Sequence, residues 1–164
     1  MSDGHRSQIG MPDDLYDRDI LAWSENQASL LRRLARGERV KDVDWDHVIE
    51  EVEDAGTSQL NAVQGHIRLT LLYLLKVHCW PQNPSVGQWR AEIIYFQAEA
   101  AQRFAASMRK RIDLKRLYHS AREQIAAASY DGREPLPSPE ICPFSLDQLL
   151  NEPGQALQSV LAGA

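Results

Sequence analysis

Cysteine is scarce in this chain. There are two in 164 residues, Cys79 and Cys142. Two distant cysteines form no metal-ligand pair and no disulfide framework, so both are expected as free thiols in a reducing cytoplasm. Runs of alternating apolar and polar residues are missing, which removes the pattern of a half-buried strand. No apolar run is long enough to cross a bilayer, which needs about 20 residues. None follows the first charges either, so no signal peptide is expected. A basic excess is also lacking. The net charge is −5, against the usual footprint of a nucleic-acid binder. No Gly-rich phosphate loop, His-Glu-x-x-His zinc motif or nucleophile elbow occurs, nor does a repeat of 20–50 residues.

What is present is helical periodicity. Trp45, Ile49, Val52, Gly56, Leu60, Val63, Ile67, Leu71, Leu74 and His78 step by threes and fours without a slip. That is one continuous face of a 3.6-residue period. Asp44 is the expected N-cap, and Pro81 and Pro84 stop the helix. Gly56, followed by Thr57 and Ser58, is the weak point. Because the phase is kept, one long helix is expected rather than two. In its first half Trp45, Val48, Ile49, Val52 and Ala55 form the apolar side, expected to pack inward. His47, Glu50, Glu51 and Asp54 form the opposite, solvated side. Ile67–Val77 is apolar almost all round, as in a helix at the centre of a core.

The other segments follow the same logic. Leu15–Ala35 is expected as one helix, acidic at its start and basic at its end, with Gly37 as C′. Ser85 with Gln88 reads as a capping box opening a helix over Val86–Arg109. Leu114 begins a helix ending near Tyr130–Gly132. The four prolines of Glu134–Pro143 indicate an extended strap. Ser145 with Gln148 is a second capping box, for a short helix over Leu146–Asn151. The class is all-α, a single-domain bundle of four or five long helices with a C-terminal strap and short helix. Residues 1–12 are expected as a disordered tail, 13–151 as the bundle, and 152–164 as an extension carrying a frayed helix.

Several motifs occur in a fixed order: Tyr16-Asp17-x-Asp19-x3-Trp23, Leu30-Leu31-Arg32, Asp44-x5-Glu50-Glu51-x-Glu53-Asp54-x-Gly56, Leu71-Leu72-Tyr73-Leu74-Leu75-Lys76, Gln88-Trp89-Arg90 and Cys142-Pro143-Phe144-x-Leu146-x2-Leu149-Leu150. Over Leu15–Leu150 the chain resembles the DUF29 family, small bacterial helical proteins named for lacking a known function. The resemblance implies a cytoplasmic, bacterial, all-α protein and carries over no catalytic residue. The family usually has histidine where this chain has Tyr73, so chemistry resting on that histidine is not implied here.

Four residue sets could carry function. His47, Glu50, Glu51 and Asp54 share a helix stripe. With His66, or with Asp17 and Asp19, they could hold a divalent metal. The Glu-x-x-His pair of di-metal bundles is missing, so a solvated acidic face is the plainer expectation. No cofactor is expected beyond that metal candidate. Lys76 and Arg68 interrupt an apolar helix, and Arg90 follows Trp89. Buried cations need partners, so a structural ion-pair network joining Asp19, Glu50, Glu51, Lys76 and Arg90 is expected. Arg103, Arg109, Lys110, Arg111, Lys115 and Arg116 form a basic run without interleaved aromatics, so a nucleic-acid partner is not expected. Cys142, beside Pro143, reads as a loop anchor rather than a nucleophile. The balance favours a non-enzymatic cytoplasmic interaction or regulatory protein, with a protein partner or a homo-oligomer, no membrane, and an exposed apolar patch. The alternative is a metal-dependent enzyme, a hydrolase or oxidoreductase, using the acidic helix face.

Overall fold

The structure, a computed structural model, describes residues 12–164, with side chains from residue 15. The tail expected over 1–12 lies outside the described residues, except for Pro12, which opens the first helix. Every regular element is helical: α1 (Pro12–Arg18), α2 (Ile20–Ala35), α3 (Trp45–Cys79), α4 (Val86–Arg103), a 3₁₀ turn (Ala106–Arg111), α5 (Leu114–Ala126), α6 (Leu146–Asn151) and α7 (Gly154–Ala162). No strand occurs among the described residues; Tyr130 and Arg133 make one isolated bridge. The all-α reading therefore stands. The described chain divides into two compact units, one ending at Gly56 and one spanning Thr57–Ala164, where the sequence suggested a single bundle.

In the first unit, the helix expected over Leu15–Ala35 is broken at Asp19. Its backbone leaves the helical region (φ −152°, ψ 82°), and its carboxylate accepts from Ala22 N at 3.0 Å. Asp19 is thus the N-cap of α2. Gly37 sits at φ 84°, the left-handed conformation that closes many helices and suits glycine. α3 runs unbroken through Gly56 for 35 residues, as its unbroken phase implied.

The second unit is built round the second half of α3. Val63, Ile67, Leu71, Leu74 and Leu75 are fully buried, with Ile93 of α4, Tyr118 and Ala121 of α5, Leu149 of α6 and Leu157 of α7. Ser85 does not form the expected capping box. Its backbone is near-helical (φ −83°, ψ 1°) and its side chain caps nothing; the Asn83 side chain accepts from Ser85 N at 2.8 Å instead. α4 stops at Arg103 rather than Arg109. Phe104 turns extended (φ −66°, ψ 133°). The guanidinium of Arg109 lies over the Phe104 ring and makes two hydrogen bonds to Asp147 of α6, at 3.0 and 2.7 Å. α5 also ends earlier than expected, at Ala126. The chain then turns back through Asp131 (φ 52°) and Gly132 (φ 70°), a pair of left-handed residues typical of tight reversals.

The proline-rich segment is a strap, as its composition implied. Leu136 N donates to Cys79 O, His78 Nε2 lies 3.0 Å from Pro137 O, and Tyr118 Oη donates to Pro139 O at 2.8 Å. The Ser145–Gln148 capping box forms in both directions. Gln97 donates to the carbonyls of Leu149 and Glu152, satisfying the otherwise orphan end of α6.

Residues beyond 152 are not frayed. Leu157 and Leu161 of α7 are buried in the core, and a Cβ at Gly154 would come within 3.1 Å of Ile93. Replacing Leu157 with alanine is therefore expected to cost about 2–5 kcal/mol, read as a lowered urea midpoint. A frayed helix would leave the midpoint unmoved.

Candidate functional site

The start of α3 is held by its polar side. Asp44 N donates to Gln27 Oε1 at 2.9 Å, and Asp44 O accepts from Val48 N. The carboxylate takes Trp23 Nε1 at 3.0 Å and lies 2.7 Å from His47 Nδ1. The Tyr16 ring stacks on His47 with centroids 3.9 Å apart and meets Trp23 edge-on at 4.9 Å. Tyr16 Oη donates to Glu51 at 2.7 Å. Donating to that carboxylate favours the neutral phenol, and Tyr16 is pushed up to about 12. Burial pushes the Asp44 carboxyl up, but the bonds from His47 and Trp23 outweigh it and hold Asp44 below its ordinary value.

This packing reverses the face expected from the sequence. His47 and Glu51 turn towards α1 and α2, although the sequence assigned them to solvent. Trp45, Ile49 and Val52 were expected to pack inward. They remain 51%, 54% and 70% exposed. They lie at i, i+4 and i+7, the spacing of a coiled-coil seam. One residue after each stands a carboxylate: Asp46, Glu50 and Glu53. All three are exposed; Asp46 and Glu53 stand within about 100° of the seam line, and Glu50 lies somewhat further round the same side of the helix. Asp42 and Asp54 are exposed nearby. Ile20 and Leu21, where α2 begins, are also largely exposed.

The candidate metal set does not converge. Asp44 and Tyr16 engage His47 and Glu51, while Glu50 and Asp54 are exposed. His66 belongs to the second unit, where it stacks on Phe96 and its Nδ1 is buried without a hydrogen bond. No group of three or more His, Cys, Asp and Glu able to hold a metal occurs among the described residues.

Four of the five residues of the expected ion-pair network have other partners, and Glu50 has none among the described residues. Asp19 caps α2, Glu51 holds Tyr16, and Glu50 is exposed. Lys76 Nζ stands over the rings of Tyr73, Trp89 and Tyr130, 4.7–5.6 Å from their centroids. Ring faces thus take the place of a carboxylate. Arg90 donates to Gln158.

In the basic run, Arg103 pairs with Glu99 and Arg109 with Asp147. Cys142 is half-buried and donates to Phe144 O. Burial pushes its thiol up and raises Cys79 to about 11, so neither is an activated nucleophile. A cavity of about 390 Å³ opens among Trp80, Pro81, Asn83, Tyr130, Arg133 and Leu136. Cys79, Asp131 and Glu134 also line it, and burial holds the Cys79 thiol protonated.

The model of a domain of unknown function, DUF29, matches residues 15–153. The chain belongs to the DUF29 family. A crystal structure of an α-helical protein of unknown function from Rhodospirillum rubrum is similar, with a TM-score of 0.62 and 25% identity over 88% of this chain and 94% of that one. None of the curated proteins matches the chain. These findings agree with an all-α fold whose function is unknown, and none of them indicates an enzyme. No described helix is long and apolar enough to cross a membrane.

Asp44 gives the site a defined acid response. Its folded carboxyl lies below the ordinary 3.8. Its contribution to stability is therefore present above that value and lost as pH falls through the lower folded value. Urea unfolding across pH 2–6 is expected to show a weaker acid limb in Asp44→Asn than in the native chain. At neutral pH Asp44→Ala is expected to cost about 1–3 kcal/mol, because Trp23 Nε1 and the first turn of α3 lose their acceptor.

Proposed function

We propose that this DUF29 protein is a non-enzymatic interaction module of the cytoplasm that binds a partner through the Trp45–Ile49–Val52 seam. One observation carries the reading. Three large apolar side chains stand side by side and exposed on a helix whose opposite face is already fixed by hydrogen bonds. A short run of apolar surface at seam spacing is what one helix offers another. The cost of exposing it is offset when a partner covers it. Two free, unactivated cysteines suit a reducing compartment.

Two outcomes follow from this assignment. Val52→Asp is expected to change stability by less than about 0.5 kcal/mol, as at an ordinary surface position. Val63→Asp, in the core, is expected to unfold the chain. A photoreactive residue at 52 is expected to yield a discrete cross-linked adduct in living cells, and one at the exposed Glu123 none. The reading fails if the two positions give the same pattern.

A further inference from the structure

The seam has one charged edge, and among the described residues no cation pairs with it. Asp46, Glu50 and Glu53 follow the three seam residues, with Asp42 and Asp54 close by. None of the five makes an ion pair among the described residues. In a helix pair, the residues flanking the seam choose the partner by charge. Here Asp46 and Glu53 occupy the position just after the seam, while Val48 and Ala55 occupy the position just before the next seam residue. Two copies of this chain pairing antiparallel would bring the acidic edges together. Pairing parallel would set the carboxylates against Val48 and Ala55. The Trp45–Gly56 stretch carries no lysine or arginine, so neither arrangement sets a cation of this stretch against the acids. A lysine- or arginine-flanked seam does.

We propose that the Trp45–Val52 seam docks a basic amphipathic helix of a partner protein, with the partner's apolar residues on Trp45, Ile49 and Val52 and its cations on Asp46, Glu50 and Glu53. This rests on the reading of the seam as a docking surface and adds the chemical class of the partner. Gly56 occupies the next seam position and contributes no side chain. The contact therefore spans only about two helical turns. A seam so short draws much of its selectivity from charge, and its binding should weaken with salt.

Trp45 reports on the contact directly. Trp23, Trp80 and Trp89 are 4–5% exposed, against 51% for Trp45. The full chain would be titrated with three synthetic 21-residue peptides: leucine at seam spacing flanked by lysine, the same seam flanked by glutamate, and the lysine peptide with its leucines scrambled. The lysine-flanked seam is expected to shift Trp45 emission to the blue and to bind at least about tenfold tighter than the other two. Val52→Asp removes the binding. The triple reversal Asp46→Lys, Glu50→Lys and Glu53→Lys turns the preference towards the glutamate peptide.

Equal binding of the lysine and glutamate seams, abolished by Val52→Asp, would overturn the basic partner and leave the docking surface standing. Binding of the scrambled peptide as tight as that of the intact seam would reduce the contact to non-specific charge, and also overturn it. If no peptide binds and sedimentation shows a dimer that Val52→Asp disperses, the occupant is a second copy and the proposal fails. A monomer that binds none of the peptides overturns it as well.

Discussion

The first unit depends on one carboxylate. Asp44 starts α3, takes the indole of Trp23, lies within hydrogen-bond distance of His47, and through its own amide reaches Gln27 of α2. A partly buried polar cluster is most stable when its members are satisfied. Satisfying this one fixes the rotation of α3 about its axis. His47 and Glu51 must face α1 and α2, so the residues half a turn away must face out. The exposed seam is thus a geometric consequence of where the hydrogen bonds lie. It is not a loose end of the core.

Much of the architecture was legible, and the failures share a cause. Spacing fixed which residues share a stripe, so the unbroken α3, the central role of Ile67–Leu75 and the Ser145–Gln148 cap could all be read from the chain. Spacing does not say which stripe meets a neighbour. The usual assumption, apolar inward, holds when the neighbour is apolar. The neighbour of the first half of α3 is instead an aromatic and polar surface made by Tyr16, Trp23 and Gln27. The signal was present in Tyr16, Trp23 and His47, which have both a ring to pack and a polar atom to satisfy. The same limit explains Asp19, whose place among acidic residues does not mark it as a cap, and Phe104, whose extended backbone ends α4 within a stretch of helical periodicity.

In the second unit the charges follow a different rule from the one expected. An ammonium among apolar residues ordinarily calls for a carboxylate. Lys76 instead lies against three ring faces, which supply a negative quadrupole without adding a second ion to desolvate. Tyr73 is one of those rings, at the position where the family usually carries histidine. The family position is thus compatible with a packing role in this chain.

Between Val52 and Gln59 every side chain of α3 is exposed. The hydrogen bonds of those turns are shielded by no packed side chain, and Gly56 weakens them by about 1 kcal/mol relative to alanine. Helices ordinarily loosen from their ends. This one has its Asp44 end tied by the polar cluster and its Cys79 end buried in a core, so its amides should exchange with solvent fastest in the middle. The longest element of the protein is therefore least protected at its centre.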